Sequence, residues 1–280
     1  MPTSAIRLVF ASVLGLLTIG RVVPCAVAGI QEGLAAYATG DYAGALREFR
    51  PLAEGGDERA QSLLAEMYAK GQGVPKDYAE AAKWWRLAAE QGRATAQFNF
   101  GQLHDLGLGV PRDHAEAVKW YRRAAEQGDS GALHNLGVKH AKGEGVPRDY
   151  AGAVTLFRRA AEQGHALAQF NLGLLYANGQ GVPQDHAEAG KWYHRAAEQG
   201  LHEAQVNLGA LYADGRGTPQ DYVRAHMWFS LATVHQPPGE KRDRSVRNRD
   251  RLAQKMTSEQ IAEAQRLARE WKPKRETPPQ

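Results

Sequence analysis

Ten histidines in 280 residues are the first side chains to interrogate, because imidazole is both the commonest protein metal ligand and a ready acid or base near neutral pH. Their positions argue for a quieter role. His104 and His140 stand where Tyr68, Tyr176 and Tyr212 stand at equal spacing, and His114 and His186 stand where Tyr78, Tyr150 and Tyr222 do. An imidazole replacing a tyrosine at a half-buried helix position needs no metal. No helix carries two histidines at i, i+4, the local spacing that makes a chelate. Metal and cofactor are therefore expected to be absent, although folding can still bring distant histidines together. The single cysteine, Cys25, excludes a disulfide framework, a zinc ribbon and an iron–sulfur site built from one chain.

Other residues are placed to bind rather than react. Asn99, Asn135, Asn171 and Asn207 form a ladder at equal spacing that could hold an extended peptide backbone. They share a face with core positions such as Ala96 and Leu103, so buried amides satisfying adjoining loop backbone are the favoured reading. The opposite face carries Phe98, His134, Phe170 and Val206, with Gln102, Val138, Leu174 and Ala210 one turn on. Apolar residues on both faces mean that these helices are sandwiched between layers or line a groove, and this column is the candidate partner-binding groove. A basic cluster, Arg242, Arg244, Arg247, Arg249 and Arg251, lies near the C-terminus. No aromatic residues interleave with it as a single-strand nucleic-acid binder requires. A solvated cap helix, or contact with an acidic partner or anionic lipid, is expected instead.

The elements that position these residues follow a strict period. Pro75, Pro111, Pro147, Pro183 and Pro219 recur every 36 residues within G-x-G-[VT]-P-x-D, as in Gly71-Gln72-Gly73-Val74-Pro75-Lys76-Asp77. The length alone predicts two domains, but a period of this size means one continuous helical array. Each unit reads as two helices. Ala81, Trp84, Trp85, Ala88 and Ala89 form one face, and Ala60, Leu64, Met67 and Tyr68 the matching stripe before it. Asp77/Glu80, Asp113/Glu116 and Asp185/Glu188 have capping-box spacing. Gly101, Gly137, Gly173 and Gly209 sit in mid-helix, which predicts close helix–helix approach. The fold class expected is all-α: about five helix-turn-helix repeats over 58–235, a shortened helical pair over 29–57, basic capping helices over 236–271 and a disordered tail over 272–280. The third unit departs most, with Lys139-His140 for Leu-Tyr, Leu156 for Trp and Thr155 for Lys, which reads as drift in a redundant array.

Residues 1–28 read as a secretory signal peptide: Arg7, an apolar run from Leu8 to Gly20, and Ala26-Val27-Ala28 before an expected cleavage. The apolar run is short for a membrane span. The protein is accordingly expected to be periplasmic or secreted, with no stable membrane span after cleavage and without its one cysteine. The formal charge of +4 then divides unevenly. Residues 29–235 hold 21 basic and 24 acidic side chains, and residues 236–280 hold 12 and 7, so the basicity belongs to the C-terminal end.

The unit Ala168-Gln169-Phe170-Asn171-Leu172-Gly173-Leu174-Leu175-Tyr176-Ala177-Asn178-Gly179-Gln180-Gly181-Val182-Pro183-Gln184-Asp185, completed by Lys191-Trp192-Tyr193-His194-Arg195-Ala196-Ala197-Glu198-Gln199-Gly200, resembles the Sel-one-like repeat (SLR), a relative of the tetratricopeptide repeats. The resemblance spans about residues 30–235. It implies a right-handed α/α solenoid that binds other proteins, and an adaptor or regulator in the bacterial envelope rather than an enzyme. Some cysteine-rich members are associated with β-lactam binding or hydrolysis; their paired cysteines are missing here. Two enzyme-like segments lead nowhere. Gly128-Asp129-Ser130-Gly131 resembles a trypsin-like nucleophile segment, but in register it is the turn between repeats. His114-Ala115-Glu116 and His186-Ala187-Glu188 have the H-x-E order of zinc deaminases, but no P-C-x-x-C follows.

Overall fold

The computed structural model describes residues 19–234 and 238–274, with side chains from residue 29 onward. Most of the segment read as a signal peptide, and residues 275–280 of the tail, lie outside the described residues. Among those described there are fourteen helices and no strand, so the all-α solenoid reading holds. In chain order the helices are α1 (Ile19–Thr39), α2 (Tyr42–Glu54), α3 (Glu58–Lys70), α4 (Tyr78–Glu90), α5 (Ala94–Leu106), α6 (His114–Glu126) and α7 (Ser130–Lys142). They continue as α8 (Tyr150–Glu162), α9 (Ala166–Asn178), α10 (His186–Glu198), α11 (His202–Asp214), α12 (Tyr222–Val234), α13 (Glu240–Ala253) and α14 (Ser258–Glu270). No described helix is long and apolar enough to cross a membrane.

The described residues form two compact units, 19–96 with 108–111, and 97–107 with 112–234 and 238–274. In the first, α1 packs on α2, α2 on α3 and α3 on α4. In the second, the pairs α7/α8, α9/α10 and α11/α12 pack internally and each packs on the next, while α12 receives both α13 and α14. The core is continuous from pair to pair: Tyr121, Leu133, Phe157, Leu172 and Trp192 belong to one buried cluster.

Two glycine columns explain the fold's tight spacing. The second glycine of each G-x-G has a left-handed backbone, with φ of 74° at Gly145, 73° at Gly181 and 70° at Gly217. A β-carbon there would run into the main chain of His114, Tyr150 or His186, at the start of the preceding repeat's second helix. The loop tip thus lies on the neighbouring helix end, which only glycine permits. The mid-helix glycines seat an aromatic ring from the helix that follows. A β-carbon would stand 2.7 Å from Phe157 at Gly137, 2.7 Å from Tyr193 at Gly173, and 2.9 Å from Phe229 at Gly209.

The aspartate half of the expected capping box forms. Asp113 Oδ1 accepts from the N–H groups of Ala115 (2.9 Å) and Glu116 (3.0 Å), and Asp185 does the same for α10. The glutamate half differs from expectation: Glu116 accepts from Lys119 Nζ (2.7 Å) and the Trp120 indole (2.9 Å). A reciprocal box closes at Thr257 and Gln260, opening α14. Gly128–Gly131 is a helix start, with Asp129 capping α7.

Candidate functional site

The column proposed from sequence as a groove divides its surface between the next repeat and solvent. Phe98, His134 and Phe170 are half-buried. Their rings lie 6.0 Å from Tyr121, 5.8 Å from Phe157 and 5.9 Å from Tyr193, with interplanar angles of 40°, 41° and 39°. Val138 packs with Phe98 on one core cluster, Leu174 with Phe170 on the next, and Val206 with Ala210 on the cluster holding Phe229 and Leu252. Gln102 is half-buried beside them.

Three members of the asparagine ladder, Asn135, Asn171 and Asn207, find side-chain partners rather than the loop backbone expected. Asn135 hydrogen-bonds the Tyr121 hydroxyl and Asn207 that of Tyr193, whose phenol is pushed up to about 12 by burial. Where Phe157 offers no hydroxyl, Asn171 donates to His134 Nε2 (3.0 Å) while His134 Nδ1 donates to the Asn135 carbonyl (3.1 Å). That pair of bonds fixes a neutral imidazole. Burial, then the stacked ring of His165 at 4.8 Å, lowers the His134 pKa from 6.5 to about 4.

Of the third unit's departures, Lys139 belongs to a built cluster rather than to drift. Lys139 is 4% exposed, and its ammonium pairs with Asp105 and with Glu144 (2.8 Å) and lies 3.1 Å from His114 Nδ1. His114 Nδ1 is also 2.6 Å from Asp105. Two of the four are singular in their columns: Lys139 stands where Leu103, Leu175 and Leu211 do, and Asp105 where Ala69, Ala141, Ala177 and Ala213 do; Glu144 lies in a variable column with Gln72, Leu108, Gln180 and Arg216, and His114 replaces a tyrosine as His186 does. Asp105, His114 and Glu144 offer three ligand atoms within 4.8 Å of one another, so folding does gather donors that the sequence separates. The place a cation would take among them is held by the Lys139 ammonium, which keeps the Glu144 carboxyl below its ordinary pKa. The arrangement is a compensated ion cluster.

A glutamine ladder that sequence reading passed over does similar structural work. Gln61 donates to the Ala53 carbonyl (3.1 Å) and accepts from Gln91 (2.9 Å); Gln169 donates to Ala161 (3.1 Å) and accepts from Gln199 (2.9 Å). The signal was available, since Gln61, Gln97, Gln169 and Gln205 share the 36-residue spacing.

At the C-terminal end, α13 turns Ser245 and Leu252 inward and leaves Arg242, Arg244, Arg247 and Arg251 exposed. Arg249 pairs with Asp250 (2.7 Å), and Lys241 with Glu203 (3.2 Å). Helix α14 folds back over α12, setting the Trp271 ring 6.2 Å from Trp228, edge to face. Beside it an open cavity of about 790 Å³ lies between α10, α11, α12 and α14.

A family model described as the Sel1 repeat matches residues 58–92, 94–129, 130–165, 166–201 and 202–233. Among solved structures, a Sel1 repeat protein from Oxalobacter formigenes is 33% identical, with 80% of this chain covering 98% of that one at a TM-score of 0.69. A protective antigen with an SLR fold from uropathogenic Escherichia coli, c5321, is 31% identical with a TM-score of 0.58. There 91% of this chain spans 62% of its relative. No curated protein matches the chain. Five matched repeats over most of the chain decide the matter: the protein belongs to the Sel1 repeat family, whose fold is generally a protein-interaction scaffold and not an enzyme.

Proposed function

We propose that the protein is an exported interaction scaffold of the bacterial envelope, periplasmic or secreted, which docks partner segments along its repeats and performs no catalysis. The observation that carries the reading is the recurrence of one half-exposed column, Phe98, His134, Phe170 and Val206 with Gln102, Val138 and Leu174, at 36-residue spacing. A partner strand or helix meeting that column gains a small contact from each repeat, and the contacts add without new geometry. Export follows from the residues of the N-terminal segment, with cleavage after Ala28.

Gln102→Arg places charge on the column and Val138→Thr a near-isosteric hydroxyl, as its packing on the core requires, while both spare the rings that pack between repeats. Affinity capture of partners from native envelope should fall with these variants while the thermal midpoint stays within a few degrees; unchanged capture overturns the groove. N-terminal sequencing of the fractionated protein should begin at Gly29, and recovery of an intact N-terminus in the cytoplasm overturns export. The rival reading, a β-lactam hydrolase, predicts turnover of a chromogenic β-lactam, which the mature chain with no cysteine should not give.

A further inference from the structure

The second row of the column, Gln102, Val138, Leu174 and Ala210, ends on α11, where α13 packs beside it. Ala210 there joins Phe229 and Leu252 in the floor of a small recess of about 190 Å³ between α11, α12 and α13. The α13 wall of the recess is Asn248, Arg251 and Lys255. Among the described residues Asp214 is the one carboxylate on its lining, and Arg216 already pairs with it.

This wall belongs to a longer stripe. Arg244, Arg247, Arg251 and Lys255 follow one another at i+3, i+4 and i+4, so like charges repel down one side of α13. Other helices of the chain place an acid at such spacings: Glu116 pairs with Lys119, Glu188 with Lys191, and Glu263 and Glu270 both with Arg266. On α13 itself Asp250 pairs with Arg249, and Lys241 reaches Glu203 of α11. Glu240 and Asp243 lie in the opening turn, away from Arg251 and Lys255. The four cations of the stripe are exposed, and among the described residues none of them forms an ion pair. The column, by contrast, carries no ionised side chain, because His134 is held neutral. Uncompensated charge thus stands at its α11–α13 end.

We propose that α13 is an anion-binding anchor closing the column. The docked partner segment is apolar or neutral along Phe98–Val206 and ends against α13 in a run of aspartates or glutamates. Their carboxylates meet Arg244, Arg251 and Lys255, with the Asn248 amide as a neutral donor, and the contact fixes the direction in which the segment lies. A protein segment fits better than a lipid surface, since Arg251 and Lys255 border a recess continuous with an apolar row that a headgroup leaves uncovered. The proposal rests on the reading of the column as the partner groove and adds the partner's charge pattern.

Fluorescence anisotropy on the full mature chain tests it with labelled dodecapeptides whose apolar, uncharged body ends in a run of Glu, Gln or Lys. The Glu peptides are expected to bind at least about tenfold more tightly than the Gln peptides, and the Lys peptides least, with the preference shrinking as salt is added. Arg251→Gln with Lys255→Gln should abolish the preference. Arg269→Gln with Lys272→Gln removes the same charge from exposed positions in and just after α14 and should leave it intact. Gln102→Arg, at the far end of the column, should weaken Glu and Gln peptides alike. If it changes neither while the α13 pair still abolishes the preference, the groove reading fails and the anchor stands. Failure of every peptide to bind, equal binding of Glu and Gln peptides, or equal loss of preference in the α14 variant would each overturn the proposal. So would retention by phosphatidylglycerol vesicles through Arg251 and Lys255 without any preference for Glu peptides, which would make the stripe a lipid contact.

Discussion

At the scale of single residues, two groups in the second unit set their own tests. Lys139 is a cation held among two carboxylates and an imidazole where three other repeats place leucine. Removing one member of a buried ion cluster strands the others, so Lys139→Met should cost about 3–5 kcal/mol. Returning three members of the cluster to residues of their columns together, with Asp105→Ala, Lys139→Leu and Glu144→Gln, should recover most of that loss in urea titration; additive losses would show that these three residues are not a unit. His134 gives the second test. Folded His134 takes up its proton only near pH 4, against 6.5 for the free side chain, so between those values the unfolded chain binds more protons. Its contribution is fully present above pH 6.5, declines as the pH falls and levels off below 4. The whole loss is about 3 kcal/mol. His134→Phe, which copies Phe98 and Phe170, should flatten the acid side of the stability profile, and an unchanged slope would assign it to other groups.

At the scale of elements, much was legible because repetition supplies its own comparison. The 36-residue register located both helices of every unit, the aspartate N-caps and the glycine stops, since those depend on local chemistry. What escaped depends on residues far apart in sequence. Asp105 and Glu144 gain meaning only when α5 and the loop after α7 meet Lys139, and the asparagine partners only when Tyr121 faces Asn135. Glycine shows the same division. Gly181 and Gly190 look alike in sequence, yet Gly181→Ala forces a left-handed φ of 73° on an alanine against the main chain of Tyr150. It should cost at least about 1–2 kcal/mol. Gly190→Ala meets only ordinary contact and should stabilise α10 by about 0.5–1 kcal/mol. Opposite shifts in melting temperature for two Gly→Ala changes nine residues apart are the expected outcome, and a stabilising Gly181→Ala would contradict the loop-on-helix packing.

At the scale of the whole molecule, a repeat array couples each unit chiefly to its neighbours, so its ends are expected to fray first. The C-terminal segment of the second unit departs from that rule. After α14 the chain reaches back past α12 to α10: the Lys274 N–H donates to the Glu198 carbonyl (2.7 Å), the Lys274 ammonium pairs with the Glu198 carboxylate, and Trp271 packs beside Trp228 and Leu231. These contacts skip a repeat. Opening α13 and α14 must therefore break bonds to α10 as well, and the helices from α10 to α14 should open as one cooperative block. Native-state hydrogen exchange should find their slowest amides sharing one opening free energy in the wild type. Trp271→Ala removes the ring that closes the strap, and in that variant α13 and α14 should exchange at a distinctly lower free energy than α10. Glu198→Gln should give a smaller split in the same direction, because it weakens the ion pair and leaves the backbone bond. Exchange that decreases smoothly toward the C-terminus in the wild type would mean that the strap carries no coupling, and that the array is limited by its nearest-neighbour contacts alone.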